Sequence, residues 1–238
     1  MKKIVIIVAA VIVAAMLALL ILHMNGFSGF HHHTEPNADQ IKVACIGDSI
    51  TYGHGIGNWT QNNYPAQLGD LLGEEYHVEN FGHSGRTVSD QGDKPYSESK
   101  QYKLSVDYDA DIIIFMLGTN DTKPENWTSI DNFMADYEKM VNRYKESNPD
   151  ARIILCTPAR AFFDGGKKSG TTNFNIQPNM IEQITIRVRT FALVNKYECI
   201  DIYDLTAGHS EWFKKDNVHP DVNGAKAIAK AVYDKITK

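Results

Sequence analysis

The residues of this chain that could do chemistry begin with a serine and an aspartate in the stretch IGDSITYGHG, at positions 46–55. Ser49 follows Gly47 and Asp48 at the end of the apolar run IKVAC. Gly, Asp and Ser are also common turn residues. Three interpretations are open: a plain turn, a Ser49 nucleophile displayed at a strand-to-helix corner, or an Asp48 metal ligand. Residues far away in the sequence must decide between them.

These residues would be positioned by strands and helices that alternate from Ile41 onward. Five short apolar runs are strand candidates, and they lie at 41–47, 76–80, 111–118, 151–157 and 198–202. Four longer periodic stretches are helix candidates, and they lie at 64–73, 129–147, 180–196 and 223–236. This alternation predicts a three-layer α/β/α sandwich with about five parallel strands. Ligands of such sheets bind beyond the carboxyl ends of the strands, so chemistry is expected in the loops there.

Four loops carry unusual polar residues and together resemble the sequence blocks of the SGNH-hydrolase superfamily, also called GDSL esterases. The blocks, in the family's order, are Gly47-Asp48-Ser49, Gly82-His83-Ser84-Gly85, Gly118-Thr119-Asn120-Asp121 and Asp216-Asn217-Val218-His219-Pro220. Each block alone is weak evidence, but four in order over the chain from position 41 to its end are specific. The resemblance implies a flavodoxin-like fold with five parallel strands, which agrees with the strand count.

The resemblance also implies a role for each block. Ser49 would be the nucleophile, and His219 would be the base that takes its proton and later protonates the leaving alcohol. Asp216 lies three residues before His219, so in a helical turn the two would share a face, with the carboxylate fixing the imidazole tautomer. The backbone N–H groups of Ser49 and Gly85 and the side-chain amide of Asn120 would form the oxyanion hole.

Four titratable residues beside the blocks are predicted to be structural. Asp48 and Asp121 would brace the loops through hydrogen bonds, and His54 and His83 would be ordinary loop residues.

Two alternatives to a serine esterase remain. The order GD then GTND resembles part of the metallophosphoesterase pattern, but that family has Asp-x-His before its first block and a histidine after the asparagine, where this chain has Asp121. No metal and no cofactor are therefore expected. The second alternative is a carbohydrate-binding module on an inactive hydrolase scaffold. Degenerate scaffolds of that kind usually lack a nucleophile or base, and here both are present.

The expected substrate is a short-chain ester, an O-acetyl group on a carbohydrate. The segments NNYP, GTNDTKPENW and DNVHP look most like those of carbohydrate O-acetylesterases. Trp59, Trp127 and Trp212 fall near the motif loops and are candidates to stack on sugar rings, although tryptophans also cover core edges. The loop at 159–179 is mostly polar, without the apolar lid that a long-chain lipase needs. A lysophospholipase-like or thioesterase-like acyl hydrolase is the alternative.

The composition narrows the choice of partners. The 238 residues are 43% hydrophobic and 22% charged with a net charge of −5, so no basic field attracts nucleic acid. The expected partner is a small-molecule or glycan ester, not a nucleic acid. The odd count of cysteines, Cys45, Cys156 and Cys199, excludes a fully paired set and favours free, buried thiols.

The first 40 residues differ in kind from the rest. Two lysines precede an unbroken apolar run at 4–22, which as a helix would be about 28 Å long, close to the thickness of a bilayer core. Positions 1–24 are therefore predicted to be a signal peptide or an N-terminal membrane anchor, with the rest of the chain exported. The length favours an anchor, whereas Gly26-Phe27-Ser28 resembles a cleavage site. Positions 25–40 are predicted to be a polar linker, with His31–His33 a solvated spacer, and 41–238 the esterase domain.

Overall fold

The computed structural model describes residues 2–24, 33–163 and 172–238, except for the side chains at 2–7, 10 and 21–24. Its sheet has five parallel strands: β1 (Ile41–Gly47), β2 (Tyr76–Gly82), β3 (Ile112–Met116), β4 (Arg152–Cys156) and β5 (Glu198–Ile200). The five predicted strands are confirmed, with ends that shift by one or two residues. Their order across the sheet is β2-β1-β3-β4-β5.

The helices fill the connections between strands. In the described residues they are α1 (Lys2–Met24), α2 (Ser49–Tyr52), α3 (Trp59–Asn62), α4 (Tyr64–Leu72), α5 (Lys100–Asp107), α6 (Ile130–Ser147), α7 (Pro178–Asn195), α8 (Ile202–Leu205) and α9 (Val222–Ile236). The four predicted helices correspond to α4, α6, α7 and α9. Asp221 caps α9, because its carboxylate accepts hydrogen bonds from the backbone N–H groups of Asn223 and Gly224.

Helices cover both faces of the sheet, which confirms the three-layer α/β/α sandwich. Every residue of β3 is buried, as its continuous apolar run predicts for a strand covered on both sides. Ile114 faces the layer that contains α4 and α9, whereas Phe115 faces the layer that contains α6 and α7. The α6 stripe of Phe133, Tyr137 and equivalent positions is buried against that second face.

The three cysteines are free thiols, as predicted: Cys45 and Cys156 are buried, and Cys199 is half-buried. Burial raises the pKa of the Cys199 thiol to about 11, so it is protonated at neutral pH.

The strand order reverses direction at β1. The chain steps from β1 to β2 on one side and then crosses to β3 on the other side. The loops that leave β1 and β3 therefore separate and open a crevice at the carboxyl end of the sheet, where α/β proteins of this type bind ligands. Three of the four motif loops follow β1, β2 and β3 and meet at this crevice.

The end of the predicted polar linker lies against the edge strand β2. His33 Nδ1 is 2.8 Å from Glu79 Oε1, and Thr34 N donates to Glu79 Oε2 at 3.2 Å. Thr34 Oγ1 is 2.8 Å from His77 Nε2, and the His33 ring stacks on Phe81 with centroids 5.2 Å apart. His33 is therefore a docked residue and not a solvated spacer, because β2 presents it with a carboxylate and an aromatic face.

The other two spacer histidines and the expected cleavage site, at 26–28, lie outside the described residues. Among the residues described with their side chains, no helix combines the length and the apolar character needed to cross a membrane.

Candidate active site

Ser49 is the first residue of α2 and stands at a tight corner directly after β1. The Asp48 carboxylate accepts a hydrogen bond from Ile50 N at 2.9 Å and so caps this short helix. A side chain at Gly47 would begin 1.9 Å from Thr51 Oγ1, so only glycine fits where the chain turns. Ser49 is 6% exposed, and its remaining access is through a cavity at the carboxyl end of the sheet.

The structure brings His219 and Asp216 to Ser49 as one hydrogen-bonded chain. His219 Nε2 is 2.9 Å from Ser49 Oγ, although the two residues are 170 positions apart. On the other side of the ring, His219 Nδ1 is 3.0 Å from Asp216 Oδ2. With Nδ1 donating its proton to the carboxylate, Nε2 is the nitrogen that can accept the serine proton.

The Asp216–His219 segment is not the helical turn that the spacing predicted. Asp216 Oδ1 accepts from the backbone N–H groups of Val218 at 2.9 Å and His219 at 2.8 Å, while Asn217 adopts a positive φ of 62°. The short asparagine side chain tolerates this left-handed conformation, and the aspartate closes an Asx turn. A helical turn would bond backbone to backbone, whereas here the carboxylate organises both the turn and the imidazole.

The same contacts keep Asp216 ionised. Its burial alone would raise the pKa of the carboxyl group, but hydrogen bonds from the His219 side chain and from the turn backbone lower it to about 2. At neutral pH the carboxylate is therefore charged and can stabilise an imidazolium beside it.

The three predicted oxyanion donors lie around the same cavity. Gly85 has a φ of 81°, a conformation that favours glycine, in the loop after β2. Asn120 begins a single 3₁₀ turn after β3, and its Nδ2 donates one hydrogen bond to Arg86 O at 3.1 Å. That bond ties the β3 loop to the β2 loop and leaves the second amide hydrogen for another acceptor.

Asp121 connects the loop after β3 to the loop after β2. It is 2% exposed, and its two oxygens accept from Val88 N at 3.0 Å and Ser89 N at 2.9 Å. Burial raises the pKa of Asp121 to about 7, with a smaller contribution from Asp48, whose own pKa is raised by burial. Asp48 and Asp121 thus hold loop backbone, the role that the sequence predicted for them.

The cavity has a volume of about 230 Å³ and includes several residues that sequence analysis did not assign. His54 was predicted to be an ordinary loop residue, yet it lines the cavity with its ring 4.8 Å from the His219 ring. Burial is the largest cause that lowers the pKa of His54 to about 4, followed by electrostatic interactions with His219 and Lys214. His54 is therefore neutral at physiological pH. His83 is half-buried in its loop and is not among the described residues that line this cavity.

Phe174 also lines the cavity, and its ring meets the His219 ring edge-on with centroids 5.0 Å apart. The polar sequence around Phe174 gives no periodic signal for such a contact. Its neighbours in the lining include Ile176, Lys94 and Lys123. In the sequence, Lys123 is marked only by its place two residues after the Gly118–Asp121 block.

The three tryptophans are not brought to this cavity. Trp59 is 3% exposed and stacks on Tyr52 within the core, with centroids 4.5 Å apart, so the prediction that it binds sugar is wrong. Trp127 packs against the core beneath α6, and Trp212 stacks on His209 at 3.7 Å; neither is among the described residues that line the cavity. The rings of the three tryptophans pack against other side chains of the protein.

In the two ranges from 33 to 163 and from 172 to 238, no three His, Cys, Asp or Glu side chains are grouped closely enough to hold a metal ion.

The GDSL-like lipase/acylhydrolase family matches residues 45–227, and the protein belongs to this family. The match includes all four motif loops.

Its relatives include an acetylxylan esterase from Xylanibacter ruminicola, which is 34% identical over 219 residues, 83% of this chain and 43% of that protein. The chain thus spans less than half the length of that relative. A carbohydrate acetylesterase from Sinorhizobium meliloti has the same fold, with a TM-score of 0.65, 18% identity and coverage of 83% of this chain and 99% of that chain. The M. smegmatis aryl esterase gives a TM-score of 0.66 at 16% identity, with 82% and 98% covered.

Proposed function

We propose that the protein removes acetyl groups from carbohydrate esters by a Ser49–His219–Asp216 mechanism. The observation that carries the mechanism is the continuous hydrogen-bonded chain from Ser49 Oγ through the imidazole to the Asp216 carboxylate. That chain gives a weak nucleophile an adjacent base and gives the base a fixed orientation.

In the first half-reaction, Ser49 Oγ attacks the ester carbonyl carbon while His219 Nε2 takes the hydroxyl proton. The carbonyl oxygen becomes an oxyanion and accepts hydrogen bonds from the Ser49 and Gly85 backbone N–H groups and from the Asn120 amide. The carbon–oxygen bond to the sugar then breaks, and His219 gives its proton to the departing alcohol.

In the second half-reaction, water attacks the acetyl group now attached to Ser49, and His219 accepts a proton from that water. Collapse of the second tetrahedral intermediate releases acetate and returns the proton to Ser49 Oγ. Asp216 stays ionised throughout and stabilises the imidazolium that forms in each half-reaction.

The acetyl preference rests on the size of the cavity and on the acetylxylan esterase relative. A volume of about 230 Å³ is below the range of about 300–1,000 Å³ typical of pockets that enclose drug-sized ligands. Such a space suits a short acyl group with the sugar outside it. We expect acetate esters to exceed octanoate esters in kcat/KM by more than about tenfold, or about 1.4 kcal/mol. A preference for octanoate would favour a lysophospholipase-like or thioesterase-like hydrolase.

The mechanism is tested by Ser49→Ala, assayed with p-nitrophenyl acetate and acetylated xylo-oligosaccharide and probed with a fluorophosphonate. The variant should keep the wild-type Tm, lose hydrolysis and fail to label. Ser84→Ala is the matched control because Ser84 lines the same cavity. It should still be labelled. Near-normal turnover by a folded Ser49→Ala protein would show that another group performs the reaction.

A further inference from the structure

The cavity that contains Ser49 has two lysines for which the proposed mechanism has no use. Lys94 and Lys123 line it, and no Asp or Glu is among the described residues that do so. Within the described part of the chain, neither ammonium has a carboxylate oxygen within 4.0 Å, in contrast to Lys139 and Lys230, which are ion-paired. Among the described residues, the lining of the cavity therefore carries two positive charges that have no direct ion-pair partner.

The backbone of Lys94 is attached to the loop that carries Gly85. Thr87 N donates to Lys94 O at 3.0 Å, and Arg86 Nη1 donates to Pro95 O at 3.3 Å. The point where a side chain at Gly85 would begin is 3.9 Å from Lys94 Nζ. The Lys94 ammonium thus lies directly beside the candidate oxyanion hole.

The backbone of Lys123 is attached to the loop that carries Asn120. Lys123 N donates to Asn120 O at 3.3 Å, and Asn126 N donates to Lys123 O at 2.9 Å. The Asn126 side chain also donates to Asn120 O at 3.0 Å and to Asp93 Oδ1 at 2.9 Å, next to Lys94. Asn126 therefore joins the two loops whose lysines line the same cavity.

The two lysines in the cavity lining have the opposite sign to the net charge of the whole chain, which is −5. Burial lowers the pKa of His83 to about 4, and the positive charges of Arg86 and Lys94 lower it further in the same direction. His83 and His54 are neutral at physiological pH, whereas Lys94 and Lys123 bring positive charge to the lining of the cavity. A field of this kind attracts an anionic ligand and repels a cationic one.

We infer, on the basis of the proposed function, that the acetylated carbohydrate carries a carboxylate near the ester, as a uronate does, and that Lys94 and Lys123 bind it. A lysine ammonium is a compact charge with three donors on a flexible stem, so it can follow a carboxylate whose position varies between sugar linkages. A neutral sugar would leave both ammonium groups solvated. The lysines determine specificity and take no part in bond making.

The experiment compares two acetylated xylo-oligosaccharides that differ by one glucuronate branch, with the full-length chain at low salt. The wild type should show a kcat/KM ratio of about five or more in favour of the uronate substrate, the effect of one close charge pair in water. The ratio should fall as salt screens the charges. It should approach one in the Lys94→Met/Lys123→Met variant, and it should be unchanged in Lys226→Met, an exposed lysine on α9.

Three results would overturn the inference, and they are distinguishable. Equal rates on both substrates in the wild type would remove the uronate and leave the acetylesterase intact. An equal loss on both substrates in the double variant would assign the lysines to the oxyanion instead. Failure of the wild type to hydrolyse either ester would overturn the proposed function itself. Tm values show whether each variant folds. If the double variant does not fold, the kcat/KM ratio is measured in the two single variants instead.

Discussion

At the scale of single residues, Asn120 has one observed role, bracing two loops, and one proposed role, donating to the oxyanion, and experiment can separate them. Its amide donates to Arg86 O, which braces two loops, and it faces the cavity where an oxyanion would form. A donor used only in the transition state affects kcat, because the bound ester does not require it. Asn120→Ala should therefore lower kcat by about 10²–10³ with little change in KM.

The matched control for this change is Asn126→Ala. Asn126 donates to Asn120 O and braces the same loop, but it does not line the cavity. Asn126→Ala should lower Tm and leave kcat nearly unchanged. An Asn120→Ala protein that melts early yet keeps most of its kcat would remove Asn120 from the oxyanion hole.

Asp121 predicts a dependence of stability on pH. Its pKa is raised to about 7 in the folded protein, whereas the unfolded chain releases this proton near pH 4. Between these values the folded state holds the extra proton, so the contribution of Asp121 to stability is greatest below pH 4 and falls as the pH rises to about 7. From pH 5 to pH 8 this loss is on the order of 2 kcal/mol.

The measurement is the free energy of unfolding by urea at pH 5 and pH 8, in the wild type and in Asp121→Asn. The amide cannot accept both the Val88 and Ser89 hydrogen bonds, so the variant should be less stable at both pH values. Its decline between pH 5 and pH 8 should be smaller than that of the wild type. Equal declines would mean that Asp121 is already ionised at pH 5.

At the scale of elements, the end of β2 positions the helix that carries Ser49. A side chain at Gly82 would begin 2.2 Å from Tyr52 N, inside the backbone of α2. Gly82→Ala should therefore push α2 away from the sheet, cost about 1–3 kcal/mol of stability and reduce kcat/KM because Ser49 moves from His219. Thermal unfolding and kinetics on one preparation measure both effects.

Gly69→Ala is the matched control for that change. Gly69 lies inside α4, and a side chain there would make ordinary contacts with Val78 at 3.7 Å. Replacing a helical glycine by alanine should add about 0.5–1 kcal/mol of stability and leave kcat/KM unchanged. If Gly82→Ala behaved like Gly69→Ala, β2 would not constrain the nucleophile helix.

Elements with a strong apolar pattern could be predicted from sequence, and elements without one could not. The buried strand β3 and the striped helix α6 gave clear signals. The helix α5 was missed because the residues it buries, Gln101 and Ser105, are polar and produce no apolar period. A pattern reports which residues avoid water, so it is silent where packing buries polar groups.

The same limit applies to the site. Residues in the motif blocks were identified because each block pairs a residue type with a strand end. The tryptophan interpretation was wrong for Trp59 because a flat apolar ring serves the core as well as it serves a sugar. The geometry of the Asp216–His219 turn was also missed, since spacing of three fits both a helix and an Asx turn. Only tertiary contacts distinguish a tryptophan in the core from one that binds a sugar, and a helical turn from an Asx turn.

At the scale of the whole molecule, the folded unit begins before the first strand. Glu79 is 6% exposed, and its carboxylate contacts His33 and Thr34 in addition to the Asn80 backbone N–H, which donates to it at 3.2 Å. Deleting positions 1–40 would leave this buried carboxylate without its contacts to His33 and Thr34, which costs about 1–3 kcal/mol. Deleting positions 1–32 keeps both contacts. The longer deletion should therefore melt about 3–8 °C below the shorter one, with both active.

Calorimetry on the two truncated proteins measures this difference. Glu79→Gln supplies the control, because a neutral amide is less costly to leave unpaired than a carboxylate. In the longer deletion it should recover part of the lost Tm. Equal melting temperatures for the two deletions would show that residues 33–40 add nothing to the stability of the domain.

The Asx turn at Asp216 gives the active site a mechanical property. The Asp216 carboxylate contacts both the imidazole and the backbone N–H of His219, so one group holds the side chain and the main chain of that residue. The turn is joined to the nucleophile's side of the crevice by the 2.9 Å contact with Ser49 and by Lys214 Nζ, which donates to Gly55 O at 2.8 Å. A displacement of about 1 Å between His219 Nε2 and Ser49 Oγ would break this contact, while the hydrogen bonds inside the Asx turn remained. Such a displacement would remove the contact between Ser49 and His219 in a molecule that is still fully folded.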